Sequence, residues 1–181
     1  MTKSYKEIMN HITTFIFDVD GVLTDSSVHV TPEGEMLRIM NIRDGFAMKA
    51  AIESGYHVCI ISGGKNEGVR IRLINLGVTD IHLGSPDKVE TFKEYIELYN
   101  IKPEEVLYMG DDIPDYEVMQ QVGVATCPQD AFIEIKHIWY CSNNISINLS
   151  LKYNIDASRR TGEYVYRPRF RFMIQIHDSD S

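Results

Sequence analysis

Two aspartates separated by a single residue, Asp18 and Asp20 in "FIFDVDGVLTD", and four carboxylates crowded into "LYMGDDIPDYEVM" (Asp111, Asp112, Asp115 and Glu117) stand where apolar runs end. Like charges raise one another's pKa and resist losing water. Such a gathering calls for a positive partner that the sequence does not supply. A hard divalent cation fits best, and Mg²⁺ takes oxygen ligands while keeping several waters. Residues two apart on a strand point to the same side, so Asp18 and Asp20 can face one edge of a sheet together. On residue type alone, either could be the nucleophile. Asp111 is a metal-ligand candidate; Asp112 or Asp115 could approach the same place or cap a helix beginning near Pro114, and Asp115 suits a position behind the ligands as well as the cap.

Two further features suit a phosphate. In "IISGGKN", Ser62 and the N–H groups of Gly63 and Gly64 could form an anion-binding loop, although Ser-Gly-Gly is also an ordinary turn. Lys88 follows "GSPD" in the first turn of its helix, where a cation opposes the helix dipole. That placement makes sense if an anion lies between it and other positive groups. The six histidines show no ligand spacing and are read as packed or surface residues.

The elements that would position these groups can be read from periodicity. "TTFIF" (13–17), "HVCII" (57–61), "DIHL" (80–83), "VLYM" (106–109) and "VAT" (124–126) are short apolar runs, as expected of strands covered on both faces. Between them, "DGFAMKAAIESG", "NEGVRIRLINLG" and "SPDKVETFKEYIELYN" carry helical patterns, the last with Ser85 and Asp87 as possible N-caps. Alternating β and α elements predict an α/β fold with a doubly wound, mostly parallel sheet. Ligands of such sheets bind beyond the carboxyl ends of the strands. One segment breaks the rhythm. "SSVHVTPEGEMLRIMNI" (26–42) reads as a hairpin around Pro32-Glu33-Gly34, with Leu37 and Ile39 alternating against Met36 and Met40. Apolar groups on both faces of that arm favour a contact between copies over a flap on its own core.

Length and composition bound the rest. A chain of 181 residues, 44% hydrophobic, suits one compact core, here residues 1–141. Residues 142–181 abandon the βα rhythm and form a divergent tail expected to lack order. No run of about 18 apolar residues is present to span a bilayer, and the start lacks a signal-peptide pattern, so a cytoplasmic protein without membrane contacts is expected. A net charge of −8 argues against general nucleic-acid binding. Cys59, Cys127 and Cys141 are widely spaced and read as reduced thiols.

The ordered set "FIFDVDGVLTD", "IISGG", Lys88 and "MGDDIPD" resembles the haloacid dehalogenase-like phosphohydrolases over roughly 12–141. The early hairpin, "NIRDGFAMK", "GKNEGVRIR" and the absence of a cap-domain insertion make it similar, more narrowly, to the 3-deoxy-D-manno-octulosonate 8-phosphate phosphatase family. The resemblance implies a Rossmann-like sheet without a cap domain and a Mg²⁺-dependent hydrolase of lipopolysaccharide biosynthesis. It implies Asp18 as the nucleophile that becomes an aspartyl phosphate, and Asp20 as the general acid and base whose carbonyl also reaches the metal. Asp18 and Asp111 become the side-chain metal ligands, and Ser62 and Lys88 hold the phosphoryl group. Arg43, Gly63, Gly64, Lys65 and Arg70 become candidate sugar-acid contacts. A homotetramer is implied, with hairpins helping to cover neighbouring sites. Related phosphatases of nine-carbon keto-sugar-acid 9-phosphates carry glutamate after the motif-two glycine, so Gly64 points to the eight-carbon substrate. The competing readings are that nine-carbon activity and a non-catalytic oligomerisation module of the same fold. The tail departs from the family's Gly-Gly-x-Gly-x-Val-Arg ending, keeping only Gly162 and Arg167 in comparable spacing.

Overall fold

The structure, a computed structural model, describes residues 8–137 and two short strands further on. In chain order the elements are β1 (Thr14–Phe17), β2 (His29–Val30), β3 (Met36–Leu37), α1 (Ile42–Glu53), β4 (His57–Ser62), α2 (Glu67–Asn75) and β5 (Asp80–Leu83). There follow α3 (Lys88–Leu98), β6 (Val106–Met109), α4 (Tyr116–Met119), β7 (Val124–Thr126), α5 (Ile133–Lys136), and an isolated antiparallel pair, β8 (Ile145–Ser146) with β9 (Gln175–Ile176). The expectation for the tail otherwise lies outside the described residues.

Five strands form one parallel sheet in the order β5-β4-β1-β6-β7. The chain winds outward from β1 through β4 to β5, then returns to the other side of β1 as β6 and β7. This reversal beside β1 opens a crevice at the carboxyl edge, the usual ligand position of a doubly wound sheet. The expected fold class is therefore observed, with no cap domain among the described residues.

Alternation along the strands divides the interior into two layers. Phe15, Phe17, Val58, Ile60, Leu107 and Met109 point to one face, where Met48 and Ala51 of α1 and Val69 and Leu73 of α2 cover them. Ile16, Cys59, Ile61, Val106 and Tyr108 point to the other, against Phe92 and Tyr95 of α3, Val118 and Met119 of α4, and Ile135 of α5. Burying each such large apolar side chain contributes roughly 1.5–3 kcal/mol. The rigid sheet fixes where its carboxyl-edge loops begin.

The helices start on side-chain caps. Asn41 Oδ1 accepts from Arg43 N at 2.8 Å, Asn66 Oδ1 from Val69 N at 2.9 Å, and Asp87 Oδ1 from Val89 N and Glu90 N at 2.8 and 3.0 Å. Asp87, not Ser85, is thus the N-cap of α3. Ser85 Oγ instead donates to the Asp87 carbonyl at 3.0 Å. The hairpin forms as expected, with His29 opposite Leu37 and Val30 opposite Met36 around a turn where Gly34 has φ +85°. Its Val30, Met36, Leu37 and Ile39 are exposed, whereas Met40 packs on the core. No helix among the described residues is long and apolar enough to cross a membrane.

Candidate active site

Beyond the last residue of β1 the ladder continues for one bond, Asp18 N donating to the Met109 carbonyl at 3.0 Å. Val19 then turns into the core, 3% exposed, leaving Asp18 and Asp20 on the opposite, crevice side. Asp18 is buried. Its Oδ1 accepts from Val19 N at 2.6 Å and its Oδ2 from Lys88 Nζ at 2.7 Å. Burial raises the Asp18 carboxyl above its ordinary range despite the opposing pull of Lys88.

Gly21 makes the approach of the two acidic loops possible. It has φ +86°, and a Cβ there would overlap the Asp111 carboxylate. Across this contact, β6 ends at Met109 and delivers Asp111, Asp112 and Asp115. Asp112 Oδ1 accepts from Ile113 N at 2.7 Å and caps the short 3₁₀ turn Ile113–Asp115. Asp115 is fully buried. Its Oδ1 accepts from Lys88 Nζ at 2.7 Å and from Tyr108 Oη at 2.6 Å, and its Oδ2 accepts from the N–H groups of Asp111 and Asp112 at 3.3 and 3.4 Å. Of the alternatives open in the sequence, Asp112 is the cap, and Asp115 is a buried brace with both oxygens engaged.

Asp111 is different. Its Oδ1 is a buried polar atom without a hydrogen-bond partner. Burial first, then the charges of Asp18, Asp115 and Asp112, push its carboxyl up to about 7. Oxygens of Asp18, Asp111 and Asp115 lie within 4.8 Å of one another. With Asp115 saturated, the Asp18 and Asp111 carboxylates are the side chains that fit a hard cation, and the orphaned Asp111 oxygen is the observation that fits it.

Lys88 is buried between its two carboxylates. Burial alone would lower its ammonium pKa, but Asp18 and Asp115 more than offset that and hold it raised. Two of its three donors are spent on these partners, leaving one for a ligand. Ser62, the last residue of β4, is also buried and accepts from Gly64 N at 3.3 Å through Oγ. The loop is tied to the one after β5 by Ser85 N to the Ser62 carbonyl, 3.0 Å, and Gly84 N to the Gly64 carbonyl, 2.9 Å.

Asp18, Asp20, Ser62, Gly63, Gly64, Lys88 and Asp111 all line one cavity of about 650 Å³, with Glu117 and Phe132 on its wall. Arg43, Lys65 and Arg70 do not line it. Arg43 and Lys65 are exposed, and Arg70 Nη1 donates to the Ile81 carbonyl at 3.1 Å, tying α2 to β5. Two contributors escaped the sequence reading. Tyr108 carries a polar tip inside a buried strand next to "GDD", where it must find a partner. Arg38 is the lone charge between Met36 and Met40, and its guanidinium reaches Asp20.

A parallel sheet with an Asp-x-Asp loop, a buried lysine and an acidic loop around one crevice is the architecture of a haloacid dehalogenase-like hydrolase, and the family model of that description matches residues 74–143. The 3-deoxy-D-manno-octulosonate 8-phosphate phosphatase of Salmonella typhi is 36% identical over 134 residues, covering 70% of this chain and 71% of the relative. The chain belongs to that phosphatase family. The Escherichia coli K12 phosphatase of the same name is 39% identical over 121 residues, 67% of this chain, which spans 64% of that relative's length. A crystal structure of the Moraxella catarrhalis phosphatase in complex with a magnesium ion, a phosphate ion and a 3-deoxy-D-manno-octulosonate molecule superposes with TM-score 0.70 at 27% identity, covering 75% of this chain and 79% of that one.

Proposed function

We propose that the protein hydrolyses 3-deoxy-D-manno-octulosonate 8-phosphate, or a closely similar sugar-acid phosphate, to the free sugar acid and phosphate through an aspartyl phosphate. The observation that carries this reading is the convergence of Asp18, Lys88, Asp111 and the Ser62–Gly64 loop on one cavity.

In this mechanism an Asp18 oxygen attacks phosphorus, and the bond from phosphorus to the sugar oxygen breaks. Asp20 gives a proton to the departing alkoxide, then takes one from the water that cleaves the aspartyl phosphate. Lys88 holds Asp18 in place through its 2.7 Å bond and has a donor left for a phosphoryl oxygen. Ser62 and the N–H groups of Gly63 and Gly64 take the remaining phosphoryl oxygens. The carboxylates of Asp18 and Asp111, with the carbonyl of Asp20, would hold Mg²⁺, which would supply positive charge against the phosphoryl group. Its presence in the Moraxella catarrhalis complex supports this choice.

Arg43 and Lys65 are exposed, which suits contacts to a docked sugar acid; Arg70 is the weaker candidate because its guanidinium is engaged. Gly64, standing where related nine-carbon phosphatases carry glutamate, supports the eight-carbon substrate over the nine-carbon one. The complete set of acidic and phosphate-holding residues favours catalysis over a purely structural module. The exposed apolar arm of the hairpin supports a homotetramer, and the reading makes it a cytoplasmic enzyme of lipopolysaccharide precursor synthesis.

The test is phosphate release across phosphorylated sugars and sugar acids, with and without Mg²⁺. Release should be fastest from the eight-carbon acid and should vanish with chelator. Preference for a simple sugar phosphate would overturn the substrate assignment.

A further inference from the structure

The hairpin enters the site through a single side chain. Arg38 Nε donates to Asp20 Oδ1 and Arg38 Nη2 to Asp20 Oδ2, each at 3.0 Å, a two-point fork matched to the planar carboxylate. The third nitrogen, Nη1, donates to the Met36 carbonyl at 2.7 Å. That carbonyl also accepts from Asn66 Nδ2 at 2.9 Å, and Asn66 is the residue that caps α2. One guanidinium therefore joins the hairpin to the Asp-x-Asp loop, and the Met36 carbonyl that it shares with Asn66 ties the same point to the start of α2. Gly64 leaves the space for it, because a Cβ at that position would lie 3.5 Å from Arg38 Nη2 as well as 3.0 Å from Asp20 Oδ2.

We propose that Arg38 is a positioning residue for Asp20, fixing both carboxylate oxygens at the cavity mouth so that Asp20 can exchange its proton with the leaving group and the attacking water. This inference rests on the phosphatase reading above. A carboxylate on a loop has two rotatable side-chain bonds, and a proton donor displaced by about 1 Å loses on the order of a hundredfold in rate. The fork removes that freedom. Arg38 touches no reacting atom, so its effect must pass through Asp20.

Leaving-group chemistry separates this role from the alternatives. A sugar alkoxide needs a proton to depart, whereas p-nitrophenolate leaves without one. Arg38→Met should lower kcat/KM about 10–100-fold on the sugar-acid phosphate and less than about threefold on p-nitrophenyl phosphate, with Arg38→Lys between wild type and Met. Equal losses on both substrates, a raised KM with unchanged kcat, or a gain in rate would overturn the proposal. Hydrogen exchange provides a readout independent of turnover. Arg38→Met and Asp20→Asn should speed exchange across residues 29–37 to a similar extent, since either change breaks the same fork. Unchanged exchange in both variants would overturn the clamp. If the wild type released phosphate from neither substrate while exchange behaved as expected, the phosphatase reading would fail and the clamp would stand.

Discussion

The Lys88 ammonium and the Asp115 carboxylate lie 2.7 Å apart with both side chains buried, and Asp115 also accepts from Tyr108 and from two backbone N–H groups. Asp115 therefore acts as the anchor from which Lys88 reaches Asp18. A buried pair of this kind adds little against an apolar substitute, but removing one partner strands the other charge.

Replacing Asp115 with Asn should accordingly destabilise the protein by about 3 kcal/mol, read as a fall of roughly 6–12 °C in Tm. Tyr108→Phe, which deletes one donor to the same oxygen, should cost only about 1 kcal/mol. A Tm for Asp115→Asn within a degree of wild type would remove Asp115 from the anchoring role.

Asp111 titrates at about 7 in the folded, metal-free chain and near 4 when unfolded. Between those values the native state holds a proton that the unfolded chain has released. The stability this group contributes is thus full below pH 4 and is lost as pH rises through 7. With chelator present, the loss should be of order 1 kcal/mol after allowing for solvent at this half-buried carboxyl. Added Mg²⁺ should raise Tm more at pH 8 than at pH 5, because the ligand must be ionised. An equal Mg²⁺ effect at both pH values would count against Asp111 as a ligand.

Gly21→Ala should be among the most damaging small substitutions. It strains a φ of +86° and drives a methyl into the Asp111 carboxylate. The backbone term alone costs about 1–2 kcal/mol, and Mg²⁺ affinity should fall with it. Gly34→Ala, also at positive φ but with nothing within 4 Å, should show the backbone cost without any change in metal affinity. Equal metal affinity in the two variants would contradict the proposed contact.

The hairpin exposes Val30, Met36, Leu37 and Ile39, with Val30 paired to Met36 and Leu37 alternating against Met36 along the second arm. Light scattering at micromolar concentration should report a tetramer, and Leu37→Lys with Ile39→Lys should shift it to smaller species. A wild-type monomer would reject this use of the surface.

Much of this could be read from residue order. Four of the five strands stand out because they are short apolar runs buried on both faces, whereas the edge strand β5, carrying Asp80 and His82, is only half-buried; Asp18 and Asp111 stand out because carboxylates follow β1 and β6 within two residues. Three-dimensional partnership was less legible. Arg38 and Asp20 are 18 residues apart, joined only because the hairpin folds back over the sheet edge. The bond from Arg70 Nη1 to the Ile81 carbonyl is of the same kind, because no side-chain pattern announces a backbone acceptor on another strand. The spacing leaves Asp115 open between a cap and a place behind the metal ligands; it braces Lys88 because Tyr108 and Lys88 arrive from a strand and a helix on the same side of the sheet, while its other oxygen still accepts from Asp112 N.

The central claim is that Asp18 carries the covalent step, and single-turnover phosphate release by Asp18→Asn tests it most directly. The amide keeps the shape but is a poor nucleophile. The account predicts a folded protein whose release from 3-deoxy-D-manno-octulosonate 8-phosphate with Mg²⁺ falls by at least about 10³-fold, or ~4 kcal/mol. Release at a wild-type rate from folded Asp18→Asn would contradict it.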